Sequence, residues 1–144
     1  VLSALAFHPE EFKVGVDYFG VANWQRTLAS IPPYWESFRK ALYEELGDPT
    51  TKDSIRLKNI SPINNYQKIN KPLMVLQGSN DVRVLPIESE EIVKGVKKNG
   101  VPVEYIVYEN EGHGFAKKEN QIDSDKKVLA FLDKYLKPQP KKEI

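Results

Sequence analysis

Two residues in the second half of the chain have the types and the placement for proton-transfer chemistry. Asp81 ends the loop Gly78-Ser79-Asn80-Asp81 after the apolar run P-L-M-V-L-Q, and His113 sits in Glu111-Gly112-His113-Gly114-Phe115 after V-E-Y-I-V-Y. Each lies just past the carboxyl end of a strand-like segment, the rim at which open α/β sheets bind ligands. A carboxylate there can accept a hydrogen bond from an imidazole Nδ1–H, fix the tautomer and leave Nε2 as the base. The flanking glycines allow an imidazole to be presented from a tight loop. Taken singly, Asp81 reads as the Asx-turn residue of a loop and His113 as the exposed residue of a turn. Their pairing past consecutive strands is what favours chemistry.

The nucleophile that such a pair would serve is missing from the 144 residues. Ser3, in Leu-Ser-Ala-Leu, lacks the glycines of a sharp strand-to-helix turn and is expected to be a buried helical serine. Ser79 belongs to a turn, and Ser61, before Pro62, reads as a loop start. His8 abuts Pro9 at a helix stop and is expected at the surface. Two distant histidines and no cysteine argue against a dedicated zinc site, and no cofactor is expected.

The elements that must position the pair follow from periodicity. Residues 1–8 read as the last turns of a helix apolar on every side, without an N-cap; a domain seldom begins there, so N-terminal truncation is the expectation. Lys13 to Phe19 reads as a buried strand, and Gly20 to Ser30 as a loop holding Asn23 and Trp24. Pro32-Pro33 introduces a helix from about Tyr34 to Leu46, with Trp35, Phe38 and Leu42 on one face and Gly47 after its end. Asp53 is placed to cap a short helix through Leu57, and Ser61 to Ile69 is an irregular connection. Leu73–Gln77 is the second strand, continuously apolar like parallel strands covered on both faces. A helix follows from Pro86, with Ile92, Val93 and Val96 at helical spacing, ending near Asn99-Gly100. Val103–Tyr108 is the third strand. The last helix spans about Glu119 to Leu136 with a stripe of Val128, Phe131, Leu132, Tyr135 and Leu136; residues 138–144 are expected to fray. The alternation predicts a three-layer α/β/α arrangement on a parallel sheet, one domain over 1–137.

Composition excludes other classes. Charged residues are 28% and apolar residues 40%, the balance of a folded globular chain. The net charge is +1 with lysine pairs scattered among acids, so nucleic acid is not an expected partner. No apolar run approaches the roughly 20 residues of a membrane helix. The first residues do not read as a signal peptide, and a cytoplasmic location is the expectation.

In several stretches the chain resembles the C-terminal part of the catalytic domain of the prolyl oligopeptidase family of serine peptidases, nearest its acylaminoacyl-peptidase and dipeptidyl-peptidase branches. The stretches are F-H-P-E-E-F-K-V-G-V-D-Y-F-G-V-A-N-W, P-P-Y-W, S-P-I-N-N-Y, P-L-M-V-L-Q-G-S-N-D-V-R-V, G-V-P-V-E-Y and E-G-H-G-F-A-K-K-E-N, in order over nearly the whole chain. The resemblance implies part of an α/β-hydrolase fold, with Asp81 and His113 as triad acid and base. It implies that Trp24 and Val84 line the S1 pocket and that Arg83 approaches the substrate, a peptide or acyl-peptide. It also implies that the nucleophile elbow, the oxyanion donors and a substrate-screening β-propeller lie outside the chain, which alone would be inactive. A carboxylesterase of the same fold and a non-catalytic interaction module are the alternatives. A sheet cut beside its nucleophile strand would expose an edge through which copies could associate.

Overall fold

Strand β2 (Leu73–Gly78) runs through the centre of the molecule with every residue buried, as its unbroken apolar run requires. Strand β1 (Gly15–Tyr18) pairs along one side of it, from Gly15 opposite Leu73 to Tyr18 opposite Leu76. Strand β3 (Val103–Tyr108) pairs along the other, from Val103 opposite Leu73 to Tyr108 opposite Gly78. Both pairings are parallel and the order is β1-β2-β3. The computed structural model describes residues 1–137, so the tail expected to fray lies outside the described residues.

Strand periodicity sorts the side chains of β2 into two cores. Leu73 and Val75 face helices α1 (Leu2–Phe7) and α5 (Pro86–Lys97), packing with Leu2, Leu5, Ala6, Ile92, Val93 and Val96. Met74 and Leu76 face helix α6 (Lys118–Leu136), packing with Phe131, Val128, Leu132 and Tyr135. The sheet is therefore covered on both faces, the three-layer arrangement expected. Phe131 anchors the α6 layer at 2% exposure; burying such a ring contributes roughly 2–3 kcal/mol.

Several local expectations are corrected. Gly20 to Ser30 is not a loop throughout: helix α2 (Trp24–Ala29) forms there, its N-terminus capped by Asn23, whose side-chain oxygen accepts the Arg26 amide at 3.1 Å. Helix α3 (Glu36–Leu46) starts later than expected, because Pro33–Trp35 forms a separate 3-10 turn; Gly47 ends it as anticipated. The expected apolar face of α3 is not buried, and Phe38 stays 55% exposed. Asp53 does not cap helix α4 (Asp53–Ile60) but is its first residue, since the Thr51 hydroxyl already accepts the Asp53 amide at 3.2 Å. That helix continues three residues past Leu57, to Ile60. β1 buries alternate residues only, and Tyr18 remains partly exposed. Helix α1 buries one side, Leu2, Leu5 and Ala6, so Ser3 is exposed instead of buried. Leu136 falls off the buried stripe of α6 at 48% exposure. No described helix is long and apolar enough to cross a membrane.

Candidate active site

The parallel register brings the carboxyl ends of β2 and β3 side by side, and the loops leaving them are stitched together. The Ser79 amide donates to the Tyr108 carbonyl at 3.0 Å and the Asn80 amide to the Glu111 carbonyl at 2.9 Å. The Asn110 amide in turn donates to the Ser79 hydroxyl at 3.0 Å. Gly78 permits the approach: a Cβ there would lie 2.4 Å from the carbonyl oxygens of both Glu111 and Gly112.

Within this frame Asp81 and His113 meet. Asp81 Oδ2 accepts from His113 Nδ1 at 2.8 Å, and because an ionised carboxylate only accepts, the proton belongs on Nδ1. The Asp81 side chain is fully enclosed whereas the imidazole is 30% exposed, so the acid is locked and the base faces outward. Asp81 Oδ1 accepts the amides of Arg83 and Val84, each at 2.9 Å. The turn-closing role and the pairing role thus coexist, one on each oxygen. Nε2 of His113 makes no hydrogen bond among the described residues.

Side chains that sequence reasoning missed complete the support. Gln77, fully buried at the end of β2, reaches the Gly78 carbonyl at 3.1 Å, the Val84 carbonyl at 3.3 Å and Asp81 Oδ2 at 3.4 Å through Nε2. Its oxygen accepts the Ser89 hydroxyl at 2.6 Å. Glu111 braces the histidine loop from within, accepting the Ala116 amide at 2.8 Å, the Lys117 amide at 3.0 Å and the Asn120 side chain at 2.7 Å. The Asn120 side chain first, then the Ala116 and Lys117 amides, hold its carboxyl below the ordinary value. Phe19, past the end of β1 with a strained φ of +40°, places its ring 4.5 Å from the imidazole. Its signal was the aromatic pair Tyr18-Phe19 at the strand's end; Gln77 and Glu111 gave none beyond their polarity. Of the two flanking glycines, only Gly114 needs to be one, at φ +123°.

The remaining expected site residues make no described side-chain hydrogen bond, ion pair or ring contact with the pair. Val84 is buried, its amide on the acid. Arg83 is exposed and stacks on Trp35. Trp24 opens α2, half-buried, with its amide on the Ser61 hydroxyl at 2.9 Å. Glu88 ties that turn to the acid side: on α5, four residues past Val84, it accepts the amides of Ala22 at 3.0 Å and Asn23 at 2.6 Å. Burial raises the Glu88 carboxyl, opposed by those two amides and by Arg26. His8 is exposed at the end of α1, as expected. Ser61 is fully buried and donates to the Leu57 carbonyl, and Ser79 is taken by the loop stitch, so neither serves the imidazole.

A parallel sheet sandwiched by helices, carrying an acid past one strand and a histidine past the next, defines part of an α/β-hydrolase. The sequence profile of the prolyl oligopeptidase family matches residues 1–139, and the chain belongs to that family. It is 42% identical to dipeptidyl aminopeptidase BIII of Pseudoxanthomonas mexicana over 91% of its own length and 19% of the relative's. It is 37% identical to dipeptidyl peptidase family member 6 of Caenorhabditis elegans, over 94% of this chain and 18% of that one. Among solved structures it superposes on a puromycin-hydrolyzing peptidase of Mycobacterium tuberculosis with a TM-score of 0.85 and 26% identity, covering 97% of this chain and 21% of that one. The Pyrococcus horikoshii acylaminoacyl peptidase shares the fold with a TM-score of 0.80 at 18% identity, covering 98% and 23%. The chain spans about a fifth of the length of the relatives it matches.

Proposed function

We propose that this chain supplies the acid and base of a serine peptidase of dipeptidyl- or acylaminoacyl-peptidase type, the nucleophilic serine coming from polypeptide that precedes Val1. The observation carrying this reading is the 2.8 Å contact between Asp81 Oδ2 and His113 Nδ1, with Nε2 making no hydrogen bond among the described residues. In the reaction, the serine hydroxyl attacks the substrate carbonyl while His113 Nε2 removes its proton. The imidazolium, stabilised by Asp81, then protonates the leaving amine, and water repeats the sequence on the acyl-enzyme. The enclosed carboxylate supports this role, since it needs no reorganisation when the ring becomes charged. Trp24 and Val84 are assigned to the S1 wall and Arg83 to substrate binding. The names of two relatives, dipeptidyl aminopeptidase and acylamino-acid-releasing enzyme, support a peptide substrate over a simple ester for this reading.

The test uses the full-length polypeptide and this chain side by side. Fluorophosphonate should label the full-length protein on a serine upstream of Val1, and peptidyl-amide turnover should depend on Asp81 and His113. The chain by itself should take no label and should hydrolyse p-nitrophenyl esters no faster than buffer. Stoichiometric label within the chain, or full-length turnover indifferent to His113→Ala, would overturn the proposal.

A further inference from the structure

Arg83, two residues past the acid, makes no side-chain hydrogen bond or ion pair among the described residues. Its one described side-chain partner is the indole of Trp35, whose ring centroid lies 4.7 Å from the guanidinium carbon. Trp35 closes the 3-10 turn Pro33–Trp35, whose entry is restricted by Pro32 before it and Pro33 at its first position. Phe38 follows one turn later with its ring 6.0 Å away at 82°, edge to face. Trp35, Phe38 and Arg83 together line a concavity of about 300 Å³. The arginine is therefore held at both ends, its amide on Asp81 Oδ1 at 2.9 Å and its head group on the indole, while its planar fork of N–H donors has no acceptor among the described residues.

We propose that Trp35 is a positioning residue for substrate binding. By stacking on Arg83 it holds the guanidinium for a carbonyl acceptor of the bound peptide. The proposal rests on the peptidase reading of the Asp81–His113 pair. A free arginine must surrender rotamer freedom to bind an acceptor, and a ring that holds it beforehand removes part of that loss. Indole is the strongest of the aromatic partners for a cation. A purely structural role fits Trp35 poorly, because the helix it precedes buries none of its residues and Phe38 is 55% exposed.

The test is a double-mutant cycle in the full-length protein with a peptidyl amide. Trp35→Leu should raise KM roughly three- to ten-fold with kcat nearly unchanged, the pattern of a lost binding contact. Arg83→Ala should raise KM at least as much, and the double variant should match Arg83→Ala alone, because Trp35 acts through Arg83. Trp35→Phe should recover part of the loss. Additive effects of the two substitutions, or a fall in kcat that tracks melting temperature, would overturn the proposal. The stack is also readable without turnover: ring current from the indole should shift the Arg83 side-chain protons upfield, and Trp35→Leu should abolish that shift. Unshifted protons in the unsubstituted protein would equally overturn it. If turnover ignores Asp81→Asn, the peptidase reading has failed; if turnover requires Asp81 but the two losses add, only the role of Trp35 has.

Discussion

A side-chain carbon on Gly78 would lie 2.4 Å from the carbonyl oxygen of Gly112, the residue next to His113. The distance between the acid strand and the histidine loop is therefore set by the absence of a side chain at the end of β2.

Gly78→Ala tests this. The clash is with backbone on both Glu111 and Gly112, which cannot swing aside as a flexible side chain would. Overpacking of this kind costs about 1–3 kcal/mol. Chemical denaturation should show that loss, and full-length turnover should fall further than stability alone explains, because the Asp81–His113 contact is pushed apart.

Asp81→Asn should leave the fold nearly intact, since the amide oxygen can still accept the Arg83 and Val84 amides. The NH2 group cannot accept from Nδ1–H, so the imidazole is driven to the wrong tautomer. The expected loss in kcat of the full-length protein is on the order of 10⁴, measured by steady-state turnover against an unchanged circular dichroism spectrum.

Ser89→Ala removes the donor to Gln77 Oε1, leaving a fully buried amide oxygen without its hydroxyl partner. An orphaned acceptor of this type costs about 1–3 kcal/mol. The loss should appear in urea denaturation. Ser89→Thr should lose less if the extra methyl is accommodated.

Much of this was legible in advance, and the pattern of what was not is instructive. β2, β3 and α5 follow from local periodicity and from Pro86 and Asn99-Gly100, so they appeared where expected. Asp81 and His113 could be read because each sits in a short turn after an apolar strand, a purely local signal. Gln77, Ser89 and Glu111 act through partners up to twelve residues away that become neighbours only once the chain has folded. α2 escaped because six residues between a glycine and two prolines carry too little periodicity to declare a helix. The apolar face expected on α3 is not buried: Phe38 is 55% exposed, and Trp35, in the turn before the helix, engages an arginine instead.

Asp17 gives the pH dependence. This carboxyl on β1 is 4% exposed, and burial raises it from 3.8 to about 6, against the opposing Gly20 amide. Below about pH 4 it is protonated in folded and unfolded chains alike and is neutral to stability. Between about pH 4 and 6 the folded protein retains a proton that the unfolded chain has lost, so stability falls as pH rises, and above that the penalty is complete. Its size is roughly 2–3 kcal/mol. Asp17→Asn should therefore raise the melting temperature at pH 7.5 and change it little at pH 4. An equal shift at both values would exclude titration of Asp17 as the cause.

The hydrogen bonds described for the acid and for the loop that carries the base all join residues between Gln77 and Gln121. Among the described residues, no hydrogen bond from α1, β1 or α2 takes part in holding the acid against the base. On the proposed reading, a polypeptide bearing the serine, together with this chain, should restore turnover when fused partners draw them together, their encounter reported as released chromophore.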